Sequence, residues 1–206
     1  MPQFGSVHGR FQGLHLGHEE YLIAAKRRCD YLYVGIAMHD PVNLSGVVVS
    51  DHRHELASNP FTYWERAQMV RAALLGAGYS ADEFETHPFP IDDPSRLANY
   101  LPVDGGIKVY TTVYDSWGRF KVARLVECGY EVEVLWEREA TEKLTTGTEL
   151  RRRMAAGVDF TDLVSSSVGS FISDWSLVDR LRERMAAVGR PDFETAGFSE
   201  LDSLER

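Results

Sequence analysis

Ten residues near the start of the chain, Gly9-Arg10-Phe11-Gln12-Gly13-Leu14-His15-Leu16-Gly17-His18, constrain its fold more than any other segment. An apolar run over 4–8 precedes His15 and His18 and reads as a strand, and a helical pattern over 17–28 follows at once. A strand that passes through a glycine-lined turn into a helix leaves backbone N–H groups and the positive end of the helix dipole facing outward, which makes an anion site. Two imidazoles three residues apart add donors there and favour a polyphosphate over a lone carboxylate. Zinc fits less well: a helical zinc pair needs His at i and i+4, a Glu between them and a third ligand. Here the spacing is three and a glycine intervenes. The sequence carries neither G-x-x-x-x-G-K-[ST] nor G-x-G-x-x-G, so the phosphate reading needs support elsewhere in the chain.

The remaining chain alternates apolar runs with helical patterns. Strands are predicted over 31–38, 84–91, 107–113 and 130–135. Helices are predicted over 62–76, opened by a Thr62–Glu65 capping box, and over 94–101, 120–128, 148–156, 162–173 and 177–188. This alternation predicts an α/β, Rossmann-like, doubly wound parallel five-stranded sheet with C-terminal helices. Ligands on such sheets bind at the strands' carboxyl ends, near the point where strand order reverses. One domain over 1–189 and an acidic, flexible tail over 190–206 are expected. A formal charge of −9 argues against a broad nucleic-acid footprint. No secretory signal is visible, and no apolar run approaches the ~20 residues that span a bilayer, so a cytoplasmic protein without a membrane partner is expected. Cys29 and Cys128 give no disulfide framework and no metal spacing, and read as buried or half-buried thiols. An edge strand or the late helices could pair subunits into a homo-oligomer.

Support for phosphate binding comes from Thr145-Thr146-Gly147-Thr148-Glu149-Leu150-Arg151-Arg152-Arg153-Met154. Hydroxyls at a helix start, with Arg in its first turn, can hold the β- and γ-phosphates. An ordinary N-cap with a solvated Arg face would use the same residues. Taken together, the two segments resemble the HxGH nucleotidyltransferase superfamily, and within it the archaeal-type nicotinamide mononucleotide (NMN) adenylyltransferases. Asn59-Pro60-Phe61-Thr62-x-x-Glu65-Arg66 is similar to that family's helix entry, and the resemblance spans roughly 4–172. It implies that His15, His18 and Arg151 are catalytic, stabilising charge at the α-phosphate and the leaving pyrophosphate. Gly9, Arg10, Phe11, Gln12, Gly17, Thr146 and Thr148 would bind the nucleotide, with Mg²⁺ held mainly by the triphosphate and no protein metal ligands. An acceptor whose second pKa is about 6 is already dianionic at neutral pH, so in-line attack on the α-phosphorus needs no general base.

The departures from that family fall on the acceptor side. Where the adenylyltransferases carry a threonine-glycine-asparagine turn after the fourth strand, this chain reads Thr111-Thr112-Val113-Tyr114-Asp115-Ser116-Trp117-Gly118-Arg119-Phe120-Lys121. Gly13 stands in place of a proline, and Asn99-Tyr100 is the nearest match to a tryptophan of the nicotinamide pocket. A long 39–58 loop carries His39, His52, Arg53 and His54. Tyr114, Arg119 and Lys121 are the predicted acceptor-binding residues, with Arg124 one turn beyond; cations suit a small, densely anionic acceptor. The chain thus resembles the phosphonate-pathway cytidylyltransferases, phosphonoformate cytidylyltransferase among them, which implies CTP as donor and a small phosphonate as acceptor. The alternative is an NMN adenylyltransferase that forms NAD from ATP and NMN. A non-catalytic nucleotide-binding regulator is a remote third reading.

Overall fold

The computed structural model describes residues 3–38 and 58–187. The 39–57 part of the long loop, with His39, His52, Arg53 and His54, lies outside the described residues, as do Val188 and the 190–206 tail. Strands β1 (Phe4–Gly9), β2 (Tyr31–Ile36), β3 (Phe84–Pro88), β4 (Ile107–Val113) and β5 (Glu131–Glu137) form one sheet in the order β3-β2-β1-β4-β5. Every pairing is parallel. This is the predicted doubly wound sheet, and its strand order reverses between β1 and β4.

Alternate strand residues enter two separate cores on opposite faces. Val7, Leu32, Val34, Ile36 and Tyr110 belong to the larger core, packed by helices α1 (Leu16–Lys26) and α2 (Tyr63–Gly76). Val109, Ile107, Phe89 and Leu97 belong to the smaller one, under α3 (Pro94–Leu97) and α4 (Ser116–Glu127). Burial on both faces explains the near-continuous apolar strands. The C-terminal helices α5 (Gly147–Ala156), α6 (Ser166–Asp174) and α7 (Leu177–Ala187) close over α2, with α6 on α2 and α7 on α5. The α2 capping box forms as predicted. Its Glu65, 1% exposed, also receives Arg180 and Arg184 from α7.

Several boundaries differ from the sequence reading. β2 ends two residues early, before Met38 turns to φ +50°. β3 ends three residues early, and beyond it Ile91 N–H folds back onto the Phe89 carbonyl. α4 begins at Ser116 rather than residue 120, because the Asp115 carboxylate caps it by accepting from Gly118 N–H at 2.7 Å. β5 runs on to Glu137 through a register shift that opposes Thr111 to Val134 but Thr112 to Trp136. The 162–173 helix divides into a 3₁₀ turn at Thr161–Leu163 and α6, because Val164 and Ser165 are extended. Cys29 is buried and Cys128 half-buried, both as thiols.

Candidate active site

A cavity of about 270 Å³ opens at the carboxyl ends of β1 and β4, where the strand order reverses. His15 caps α1: its Nδ1 accepts from the His18 backbone N–H at 3.4 Å. The two imidazoles stack at 3.8 Å between centroids, and Phe11 meets His18 edge-on at 5.1 Å. Phe11 holds φ +50° with its ring fully buried. A left-handed backbone at a non-glycine residue is strained and persists only where its surroundings fix it. Here it presents the ring to His18, so Phe11 shapes the site by positioning that imidazole. Gly9, Arg10 and Gly17 line the cavity beside the pair.

Burial lowers the pKa of both histidines, with smaller contributions from neighbouring basic groups. For His15 these neighbours are His18, Arg151 and Lys143. For His18, pushed down to about 3, they are Arg10, Arg151 and Lys143. Both rings are therefore neutral at pH 7, each with one N–H to donate. His8 and His87 are shifted down as well, burial again being the largest cause. Unfolded histidines titrate near 6.5. Below that pH the unfolded chain binds more protons than the folded one, so stability declines as pH falls. Each neutral histidine contributes a slope approaching ~1.4 kcal/mol per pH unit. The urea midpoint should fall steadily between pH 7 and pH 5, above the carboxylate range. A midpoint flat over that window would contradict the burial of these rings.

The second segment expected to bind phosphate is the start of α5. Thr146 caps it, its Oγ1 accepting from Glu149 N–H at 3.1 Å while its own hydroxyl proton can still be donated. Arg151 reaches back across the cavity: Nη1 donates to the Gln12 carbonyl at 2.6 Å and Nη2 to Thr148 Oγ1 at 3.3 Å. Gly147 permits this approach, since a Cβ there would lie 3.0 Å from the Gln12 carbonyl oxygen and 3.1 Å from Arg151 Nη1. The two predicted phosphate segments are thus in direct contact. Thr148, expected on the nucleotide, accepts from Arg151 and stands outside the cavity lining. Gln12 lines the cavity as well. Its side-chain amide pairs with both backbone groups of Phe61, at 3.1 and 2.9 Å, so it fixes the turn and serves the cavity through its carbonyl.

Arg66, 1% exposed, was missed as a site residue. Its Nη1 donates to the carbonyls of Arg10 and Ala37, both at 2.7 Å, and its Nη2 to Met38 at 2.9 Å. It ties the carboxyl ends of β1 and β2 together beneath the cavity mouth. The Glu65-Arg66 pair was visible in the sequence, but no local pattern shows which way a guanidinium turns.

Of the residues expected at the acceptor, Tyr114 and Lys121 line the cavity, together with Thr112, Trp117, Trp136 and Asp92. Trp136 Nε1 donates to the Tyr114 hydroxyl at 2.8 Å, and Lys143 sits 5.4 Å over the Tyr114 ring. Arg119 is absent from the lining; it is exposed and pairs with Glu137. The early start of α4 explains the split. Residues two apart on a helix differ by roughly 200° around its axis, so Arg119 and Lys121 cannot face the same way. His8, Trp136 and Lys143 were not predicted. His8 and Trp136 are the penultimate residues of β1 and β5, a position near the strands' carboxyl ends that β-alternation could have supplied.

A doubly wound sheet with two helix N-termini, a stacked histidine pair and a reaching arginine around one cavity defines a nucleotidyltransferase. Residues 7–153 match the family model described as cytidylyltransferase-like, and the chain belongs to that family. It is 40% identical over 178 residues to phosphonoformate cytidylyltransferase of Streptomyces viridochromogenes, covering 86% of this chain and 95% of that protein. It is 32% identical over 176 residues to nicotinamide-nucleotide adenylyltransferase of Pyrococcus horikoshii, covering 84% of each. In fold it is similar to a bifunctional NMN adenylyltransferase/ADP ribose pyrophosphatase of Francisella tularensis (TM-score 0.61, 17% identity, 89% of this chain); the match spans about half of that chain, 53%.

Proposed function

We propose that this nucleotidyltransferase moves CMP from Mg-CTP to a small phosphonate such as phosphonoformate and releases pyrophosphate. The supporting observation is the cavity's charge. Among the described residues, Arg10, Lys121, Lys143 and Arg151 line it against one carboxylate, Asp92, which suits two small anions brought together. Mg²⁺ is proposed to arrive with the nucleotide, held mainly by the triphosphate.

A phosphonate oxygen attacks the α-phosphorus in line, forming a new P–O bond as the bond to the β-phosphate oxygen breaks. The electron pair of that broken bond leaves on pyrophosphate. The protein aligns two repelling anions and meets the charge that spreads over the transferring group. Neutral His15 and His18 donate N–H groups to it, while Arg151, Thr146 and the α5 N-terminus take the β- and γ-phosphates.

The 32% identical adenylyltransferases keep ATP plus NMN as the competing reading. Pyrophosphate release should be measured with four nucleoside triphosphates against phosphonoformate and NMN. Turnover is expected with CTP and phosphonoformate; release confined to ATP plus NMN would overturn the proposal. Among the described residues no helix is long and apolar enough to cross a membrane.

A further inference from the structure

His8 is 5% exposed, lines the cavity, and has both ring nitrogens buried without a hydrogen-bond partner among the described residues. Its ring stacks on Phe89 at 4.7 Å and 10° between planes. Phe89 fits only because residue 35 is glycine: a Cβ there would lie 2.4 Å from the Phe89 ring. The backbone is fixed as well, with His8 N–H donating to the Tyr21 hydroxyl, which donates in turn to the Tyr110 carbonyl. Aromatic packing and backbone bonds therefore orient an imidazole whose polar atoms meet nothing. Buried polar groups are nearly always paired, and one that is not calls for a ligand or another cause.

The place of His8 separates it from the histidine pair. Along β1 it faces away from Val7, toward the core under α4, whereas His15 and His18 sit at the start of α1 on the other face. Lys121 of α4 lines the same end and is the largest charged influence on His8, second only to burial in keeping its ring neutral. Arg10, Lys143 and Arg151 act instead on the histidine pair. The cavity thus carries a cation, Lys121, from the helix on the His8 face in addition to those that act on the histidine pair.

Building on the proposed function, we propose that His8 and Lys121 form an acid-binding subsite that holds the acceptor's second, non-reacting acid group, so that two-headed acceptors are preferred over simple phosphonates. The neutral imidazole donates one N–H to that group and Lys121 supplies the charge, leaving the phosphonate free to attack.

The test uses the full chain with Mg-CTP and compares phosphonoformate, which carries a carboxylate, with methylphosphonate, which does not. His8→Leu is expected to raise the phosphonoformate KM at least tenfold, to leave the CTP KM and the methylphosphonate rate within twofold, and to keep or raise the thermal midpoint, since it removes unmet polar atoms. His8→Gln, which retains a donor, should recover most of the phosphonoformate affinity. Equal losses with both acceptors, or a rise confined to the CTP KM, would overturn the subsite. If the wild type uses neither phosphonate, the proposed function fails instead. Titration of phosphonoformate against the His8 ring NMR signals then decides the subsite separately: a saturable shift supports it and an unmoved ring overturns it.

Discussion

Replacing His18 by alanine should lower kcat by ~10²–10³-fold, equivalent to about 2.7–4 kcal/mol of transition-state stabilisation. The ring is buried, neutral, stacked on His15 and braced by Phe11, so its donor is fixed before substrate arrives. Preorganised donors act mainly on charge that develops during reaction, so the nucleotide KM should move far less than kcat. His15 needs a subtler variant, because it also caps α1 and loss of a cap costs about 1 kcal/mol. His15→Asn keeps a side-chain oxygen for the His18 N–H but withdraws the imidazole. It should fold with near-native stability and lose activity on the scale of His18→Ala. Native turnover in either variant would remove the pair from the mechanism.

The largest effect on stability is expected at Arg66. Its guanidinium lies within the protein beneath the cavity, and burial lowers its pKa to about 10. It remains charged at neutral pH and donates to the carbonyls of Thr62, Arg10, Ala37 and Met38. Arg66→Met fills similar space but leaves these acceptors unmet, at a cost of about 1–3 kcal/mol for each one that stays dry. Partial entry of water should hold the total to about 3–5 kcal/mol, the range seen when a buried charged partner is removed. Urea unfolding should show this as a lower midpoint. A loss under 1 kcal/mol would mean that the carbonyls find other donors. Arg66→Lys should also destabilise, because one ammonium cannot reproduce a planar fork spanning two strand ends.

Much of the site was legible because it is local. The Gly9–His18 segment encodes a strand, a turn and a helix start in consecutive residues, and Thr146 with Glu149 encodes the second helix start. The contact between them was not legible as geometry. Arg151 and the Gln12 carbonyl are 139 residues apart in the chain, and Gln12 and Phe61 are 49 apart. The α4 error was local and avoidable. Asp115 is a good N-cap, but Trp117 and Gly118 disguised a helix start as a loop, and Arg119, expected at the acceptor, pairs with Glu137 outside the cavity lining.

The sequence by itself determined the alternation of strands and helices, the parallel sheet, and a glycine-lined turn into a helix N-terminus at the first strand's carboxyl end. Each follows from hydrophobic period, helix capping or backbone polarity acting over a few residues. Only the tertiary structure decided which polar side chains serve the cavity. Gln12 and Arg66 turn to backbone groups, Arg119 to Glu137, and His8 is left facing the cavity with its nitrogens unmet. Such assignments depend on which donors and acceptors folding brings within about 3 Å, and residues far apart in the chain settle that.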